Sequence, residues 1–246
     1  IYMRGQIQNG EIRGMTVLYD QATEGTMEPV VIAMSSAFNP FPAASAASNT
    51  PPPRRKVEYS TGIVVAPDAI LAERQATEAC QSLSITGHGN ADRTAQDEKN
   101  ELALLRLYGA QNLAPLTLGE TSKALASGDV DLAGIADPQD QGGGHAASLT
   151  KSRIAMQGDD AMLNPAPSLA FSGAALIAND GKWIGMVRVK PTIVAGPANL
   201  ATASQAFAVG PQIIAAFLAS QSIKPVQAGS ARDIKASLVR VICVRK

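Results

Sequence analysis

Short apolar segments separated by turn residues recur along most of this chain, and this spacing constrains the fold more than any other feature. Segments with Val, Ile, Leu or Met at alternate positions are typical of strands that bury one face. The predicted strands are Ile12–Leu18, Pro29–Ser35, Val57–Ala66, Leu83–Thr86, Leu102–Leu107, Val130–Ile135, Ser148–Met156, Ala174–Asn179, Trp183–Val189 and Ala206–Val209. The sequence therefore predicts an all-β barrel or sandwich.

Other segments are predicted to be helix, loop or tail. A helix is expected to begin at Gly210-Pro211, because proline is favoured in the first turn of a helix. Its apolar face is formed by Ile213, Ile214, Phe217 and Leu218. The stretch Asn39–Pro53 is rich in Pro, Ala and Ser and predicts a loop. Residues Ala110–Pro115 are interpreted as a connection between two lobes, and Ile234–Val244 as a tail with strand-like apolar residues.

The composition is that of a globular protein and argues against several partners. Hydrophobic residues make up 46% of the chain and charged residues 17%. The 21 basic and 21 acidic residues cancel, so no basic excess is available to neutralise nucleic-acid phosphates. No apolar stretch approaches the roughly 20 residues of a membrane span. The cysteines lack metal-ligand spacing, and we expect neither a metal nor a cofactor.

The two cysteines, Cys80 and Cys243, are far apart in the sequence. They are either two buried thiols or the ends of a disulfide that closes a very long loop. We favour the disulfide, because Cys243 lies in an apolar, strand-like tail that must dock somewhere. Such a bridge would suit an oxidising compartment such as the periplasm.

Three segments carry a family resemblance: Ser60–Leu71, Asn100–Leu107 and Ala170–Leu176. In order and approximate spacing they resemble the chymotrypsin-like (trypsin-like) serine proteases, including the bacterial HtrA-type members. The resemblance implies a two-lobed double β-barrel with a C-terminal helix, here followed by an extra tail. The expected divisions are an N-terminal extension with an added strand at 1–28, a first lobe at 29–110, a second lobe at 111–220 and the tail at 221–246.

The resemblance also implies where the catalytic residues of the family would lie. The histidine position falls on Gln75, the aspartate position on Glu101 and the serine position on Ser172. The glycine whose N–H helps to bind an oxyanion falls on Ala170. Because a glutamine amide cannot accept a proton, the serine hydroxyl would lack the base that activates it. We therefore expect a degenerate member of the family, a pseudoprotease with a vestigial triad.

The strand that lines the substrate cleft in the family falls on Val187–Lys190, where Arg188 and Lys190 would extend long side chains into the cleft. We expect an inactive binding or scaffolding module for a protein or peptide partner in the bacterial cell envelope, periplasmic or secreted. The alternative is a serine hydrolase that uses Ser172 with a non-standard base such as His145. A third interpretation is a structural domain attached to another module.

Overall fold

In a computed structural model, residues 1–41, 56–109, 113–190, 204–224 and 234–245 are described. Most of the predicted loop Asn39–Pro53, and residues 110–112 of the predicted connection between lobes, lie outside this set. The chain divides into two units, Ile1–Pro52 and Pro53–Lys246. Within the described residues, no helix is both long and apolar enough to cross a membrane.

The first unit begins with an antiparallel hairpin of β1 (Tyr2–Gln8) and β2 (Glu11–Val17). The two residues between the strands, Asn9 and Gly10, have φ angles of 51° and 80°. Asn-Gly is the dipeptide that best tolerates two successive positive φ angles in a tight hairpin turn. The expected added strand near the N-terminus is thus one half of a hairpin.

The helix α1 (Glu24–Ala37) follows the hairpin. The predicted strand Pro29–Ser35 is wrong, because these residues lie inside this helix. The three consecutive β-branched residues after the proline favour a strand locally, but this preference is weak and does not decide the structure. The hairpin contacts the helix through Ser35, whose Oγ lies 2.6 Å from the Tyr2 hydroxyl and accepts from Arg4 at 2.9 Å.

The second unit contains two closed six-stranded barrels. The remaining strands are β3 (Lys56–Ala66), β4 (Ala69–Glu73), β5 (Ser82–Ile85), β6 (Gly89–Asp97), β7 (Leu102–Leu107), β8 (Gly128–Gly134), β9 (Ser148–Gln157), β10 (Asp160–Asn164), β11 (Ala175–Ile177), β12 (Trp183–Lys190), β13 (Gln205–Val209) and β14 (Leu238–Arg245). The first barrel has the order β14-β3-β4-β7-β6-β5, and the second has the order β10-β13-β12-β11-β8-β9. Two helices accompany them, α2 (Arg74–Thr77) and α3 (Pro211–Ser220).

The expected double barrel and the helix after it are confirmed. All predicted strands except the one in α1 overlap strands of the structure. The strands β1, β4, β6, β10 and β14 overlap none of the ten predicted strands. The sequence of β6, Gly-Asn-Ala-Asp-Arg-Thr-Ala-Gln-Asp, is mostly polar, so it lacks the alternating apolar pattern on which strand prediction depends.

The apolar core is formed by both faces of some strands. Ile63 and Leu71 belong to a cluster that includes residues of both barrels and of α3, while Val64 and Ile70 belong to the interior of the first barrel. Successive side chains of a strand point to opposite faces. The strands β3 and β4 therefore bury residues on both sides, which explains why all five residues of β4 are buried.

The end of the chain, expected to be a tail with strand-like apolar residues, forms strand β14. Strand β14 pairs with β3 and β5 and closes the first barrel. The structure joins Cys80 and Cys243 by a disulfide, with Cα atoms 5.3 Å apart, which links β14 to the segment that precedes β5. The apolar character of β14 explains its place in the barrel. Most of its residues are buried there, and the first barrel needs a sixth strand to close.

Candidate functional site

Ser172 follows a short 3₁₀ turn, Leu169–Phe171, and precedes β11. Its backbone is fixed from the first barrel, because Thr61 N donates a hydrogen bond to its carbonyl oxygen at 2.9 Å. The next residue is fixed from the second barrel, since Gly173 N donates to the Val187 carbonyl at 2.8 Å. The serine loop thus lies between β3 and β12, and its position depends on both barrels.

Thr61 and Gly173 explain the tightness of this loop. The Thr61 hydroxyl donates to the Ala170 carbonyl at 3.0 Å and accepts from Ile135 N at 2.9 Å. Gly173 has a φ of +84°, and a Cβ atom there would lie 2.1 Å from the Thr61 carbonyl oxygen. Only glycine can adopt this conformation without a side chain in the way. The glycine after the serine is therefore required by packing.

The hydroxyl of Ser172 is enclosed by the protein. Its O–H donates to Oε2 of Glu73, and Val189 N donates to its Oγ at 3.3 Å. Ser172 is only 5% exposed and Glu73 only 2%. The hydroxyl thus donates its one proton and accepts one hydrogen bond inside the fold.

Glu73 is the last residue of β4, and its carboxyl has an unusually high pKa. Burial raises the pKa of its carboxyl to about 8, an effect that the positive charge of Arg188 partly offsets. Glu101 raises this pKa further, while Lys190 and Arg74 lower it. The carboxyl of Glu73 therefore holds its proton at neutral pH, because desolvation outweighs the surrounding positive charges.

The structure brings two of the predicted triad positions together, Gln75 and Glu101. The Gln75 amide donates to Glu101 Oε1 at 3.3 Å, and Gln75 itself is exposed on α2. Arg74 holds the same carboxylate with two hydrogen bonds of 2.9 and 3.2 Å. Ser172 bonds Glu73 and Val189 instead of this pair. The hydroxyl and the Gln75–Glu101 pair thus form separate hydrogen-bond groups.

The turn before the serine bears on oxyanion binding. In serine proteases the N–H of the nucleophilic serine helps to bind the developing negative charge of the substrate oxygen. Here Ser172 N donates to the Leu169 carbonyl at 2.9 Å. Ala170, at the position of the second donor, is 4% exposed and its carbonyl is held by Thr61. The serine N–H is therefore already satisfied inside the turn.

Arg188 and Lys190 lie on β12 next to this buried pair. Arg188 is half-buried, and its Nε is fully buried without a hydrogen-bond partner among the described residues. Lys190 is exposed, with its Nζ 5.2 Å from the centre of the Phe207 ring. We call Glu73, Ser172, Arg188 and Lys190 the Ser172 site.

Two other positions stand apart from this site. His145, the alternative base considered from the sequence, is exposed in a turn-rich segment after β8. A cavity of ≈ 440 Å³ opens on the second barrel, and its apolar lining includes Leu125, Ile154 and Ile184. No residue of the Ser172 site lines it. The Ser172 site is therefore identified by its hydrogen bonds and not by a cavity.

Glu73 is the site residue that the sequence-based prediction missed. The family resemblance places the histidine position on Gln75, two residues after Glu73, and so does not point to Glu73. One signal was available, because Glu73 directly follows the apolar run Ala69–Ala72. A carboxyl at the end of a fully buried strand needs a partner or a proton.

The sequence identifies the family of the chain. A model described as a trypsin-like peptidase domain matches residues 60–186, slightly more than half of the chain. The chain belongs to the trypsin-like peptidase family. No curated protein matches the sequence.

Three bacterial structures are among the solved structures of similar fold. They include the inactive form of Rv3671c from M. tuberculosis H37Rv, with 17% identity, a TM-score of 0.47 and coverage of 70% of this chain and 88% of the other. The MamO protease domain from Magnetospirillum magneticum has 15% identity, a TM-score of 0.48 and coverage of 69% and 98%. The serine endoprotease from Yersinia pestis has 19% identity, a TM-score of 0.47 and coverage of 67% and 57%.

Proposed function

We propose that this trypsin-like domain does not hydrolyse peptides and acts as a binding or scaffolding module in the bacterial cell envelope. The observation that carries the proposal is the enclosed hydroxyl of Ser172, which donates to Glu73 and accepts from Val189. A serine nucleophile needs an unprotonated base at its hydroxyl. Glu73 is protonated at neutral pH because of its burial, so it cannot serve as that base there.

The backbone supports the same proposal. The N–H of Ser172 donates to Leu169 inside the 3₁₀ turn, and it would have to leave this bond to reach a substrate oxygen. Removal of one oxyanion donor from an active enzyme costs about 100- to 1000-fold in rate. The site would therefore need two rearrangements, one at the hydroxyl and one at the turn, before it could catalyse acyl transfer.

One specific observation favours a second candidate function, a serine hydrolase with a carboxylate base. Glu73 is within hydrogen-bond reach of the Ser172 hydroxyl, which is the first requirement for a general base. This function would appear only above about pH 8, where Glu73 loses its proton. The candidate base is then Glu73 rather than His145.

A fluorophosphonate probe, which reacts with activated serines, tests both functions. We expect no labelling of the purified protein at pH 7, while trypsin in the same assay is labelled fully. The matched control is Ser172→Ala, which removes the proposed nucleophile and sets the background. Labelling of the wild type at pH 7 that disappears in Ser172→Ala would contradict the inactive-domain proposal. Labelling that rises only through about pH 8 would support the Glu73-based hydrolase.

The proposed location rests on the disulfide, and the proposed partner rests on two side chains of β12. The disulfide Cys80–Cys243 suits an oxidising compartment such as the periplasm. Long side chains at Arg188 and Lys190 replace the small residues that line the substrate cleft in the family. These side chains provide contacts for a protein or peptide partner.

A further inference from the structure

Arg188 has an environment that is unusual for a half-buried arginine. Its Nε is buried without a hydrogen-bond acceptor, and among the described residues it forms no ion pair. By contrast, Arg74 nearby is bound to both Glu101 and Glu78, at 2.9 Å in each case. Desolvating a guanidinium without a partner is costly. The half-buried guanidinium of Arg188 is therefore a candidate to bind a further acceptor.

The charges around Arg188 leave an excess of positive charge. Glu101 forms its ion pair with Arg74, through two hydrogen bonds, rather than with Arg188. The positive charge of Arg188 lowers the pKa of the buried Glu73 carboxyl. This carboxyl nevertheless accepts a hydrogen bond from Ser172 rather than from Arg188. Arg188 and Lys190, two positions apart on β12, thus remain without a compensating carboxylate among the described residues.

We propose that Arg188 and Lys190, at the edge of the Ser172 site on β12, bind a carboxylate group of an acidic peptide, with the half-buried Arg188 as the main contact and the exposed Lys190 as a second positive charge. The proposal rests on the proposed function, because a peptide held at this site would be bound and not cleaved. A guanidinium presents parallel N–H groups that match the two oxygens of a carboxylate. Lys190 contributes a point charge and needs no fixed geometry.

Glu73 makes this site sensitive to pH. The groups that act on its carboxyl are Arg188 and Lys190 from β12, Arg74 from α2 and Glu101 from the turn before β7. When Glu73 is protonated, Arg188 is free for a ligand. When Glu73 ionises above about pH 8, its own carboxylate competes for Arg188. If only the protonated form binds, the apparent dissociation constant rises about tenfold from pH 7 to pH 9.

The test follows the Nε–H resonance of Arg188 by NMR in the full chain. The probe is the N-acetylated, C-amidated tripeptide Ala-Glu-Ala, and its control is Ala-Gln-Ala with the same blocking groups. We expect a saturable shift with the glutamate peptide alone, with a dissociation constant on the order of millimolar. Inorganic phosphate and chloride are titrated separately, to distinguish a carboxylate site from a general anion site.

Variants assign the effect to the named residues. Arg188→Gln is expected to abolish the binding of the glutamate peptide, followed through backbone amide shifts, and Lys190→Gln to weaken it severalfold. The matched control is Arg153→Gln, since Arg153 is an exposed arginine on β9 that pairs with Asp129 at 2.7 Å. Glu73→Gln should bind at pH 7 and lose the decline at pH 9. Lys190 is exposed, so its variant gives an answer even if Arg188→Gln does not fold.

Three outcomes would overturn the proposal. They are equal shifts with both tripeptides, a response to phosphate without one to the glutamate peptide, and unchanged binding in the folded Arg188→Gln and Lys190→Gln variants. The probe-labelling experiment on Ser172 is independent of these titrations. If the wild type neither binds the glutamate peptide nor is labelled at Ser172, this inference fails and the inactive-domain proposal stands. Labelling of Ser172 at pH 7 would instead refute the proposed function itself.

Discussion

The replacement Glu73→Gln tests whether a protonated carboxyl is buried beside Ser172. Glutamine has the size of the protonated side chain and retains a carbonyl oxygen that can accept from the Ser172 hydroxyl. It has no proton to lose, so it removes only the titration. The comparison of the two proteins over pH therefore isolates the energetic cost of ionising this one group in the folded state.

The magnitude follows from the linkage between proton binding and folding. The carboxyl has a pKa of 4.5 in the reference state and about 8 in the folded protein. Between these values the unfolded chain binds fewer protons than the folded one, so the stability falls as the pH rises. Between pH 5 and pH 9, the free energy of unfolding of the wild type should fall by about 4 kcal/mol relative to Glu73→Gln.

Urea denaturation followed by tryptophan fluorescence measures this difference. The chain has one tryptophan, Trp183, which is 1% exposed in the core shared by the barrels. Other groups that titrate contribute equally to both proteins and cancel in the comparison. The matched control is Glu98→Gln, which makes the same substitution at an exposed glutamate and measures the effect of the substitution outside the core.

A pH-independent difference between wild type and Glu73→Gln would refute the reasoning. It would mean that Glu73 reaches solvent or an ion pair and is ionised in the folded protein. The hydrogen bond that holds the Ser172 hydroxyl would then have a charged acceptor at neutral pH. The argument that no base is available to Ser172 would fail with it.

Two further predictions concern the covalent link and the serine loop. The double replacement Cys80→Ser/Cys243→Ser removes a disulfide with a sequence separation of 163. It should lower the free energy of unfolding, measured by urea denaturation, by up to about 5 kcal/mol. An unchanged urea midpoint would show that the disulfide is absent in solution. Gly173→Ala should destabilise the protein by at least about 2 kcal/mol more than Gly158→Ala, because both have positive φ but only the first would place Cβ against a backbone oxygen. Equal losses in the two variants would contradict the proposed packing of the serine loop.

The sequence predicts the barrels better than the site. Strands such as Leu102–Leu107 alternate or are continuously apolar, and short-range patterns suffice to identify them. The N-terminal helix is missed because its β-branched run has a local preference for strand that the structure overrides. Glu73 is missed for another reason: its role depends on Ser172 and Arg188, which lie about a hundred residues away. No local pattern encodes that contact.

Strand β14 has a consequence for how the protein is made. It is the sixth strand of the first barrel, yet it follows the entire second barrel in the chain. During synthesis, which proceeds at about 5–20 residues per second, the first barrel stays open until residues 238–245 have left the ribosome. Its edges at β3 and β5 are unpaired in the interval and are exposed to other strands. Closure of the first barrel is therefore a late event, which follows the synthesis of the whole second barrel.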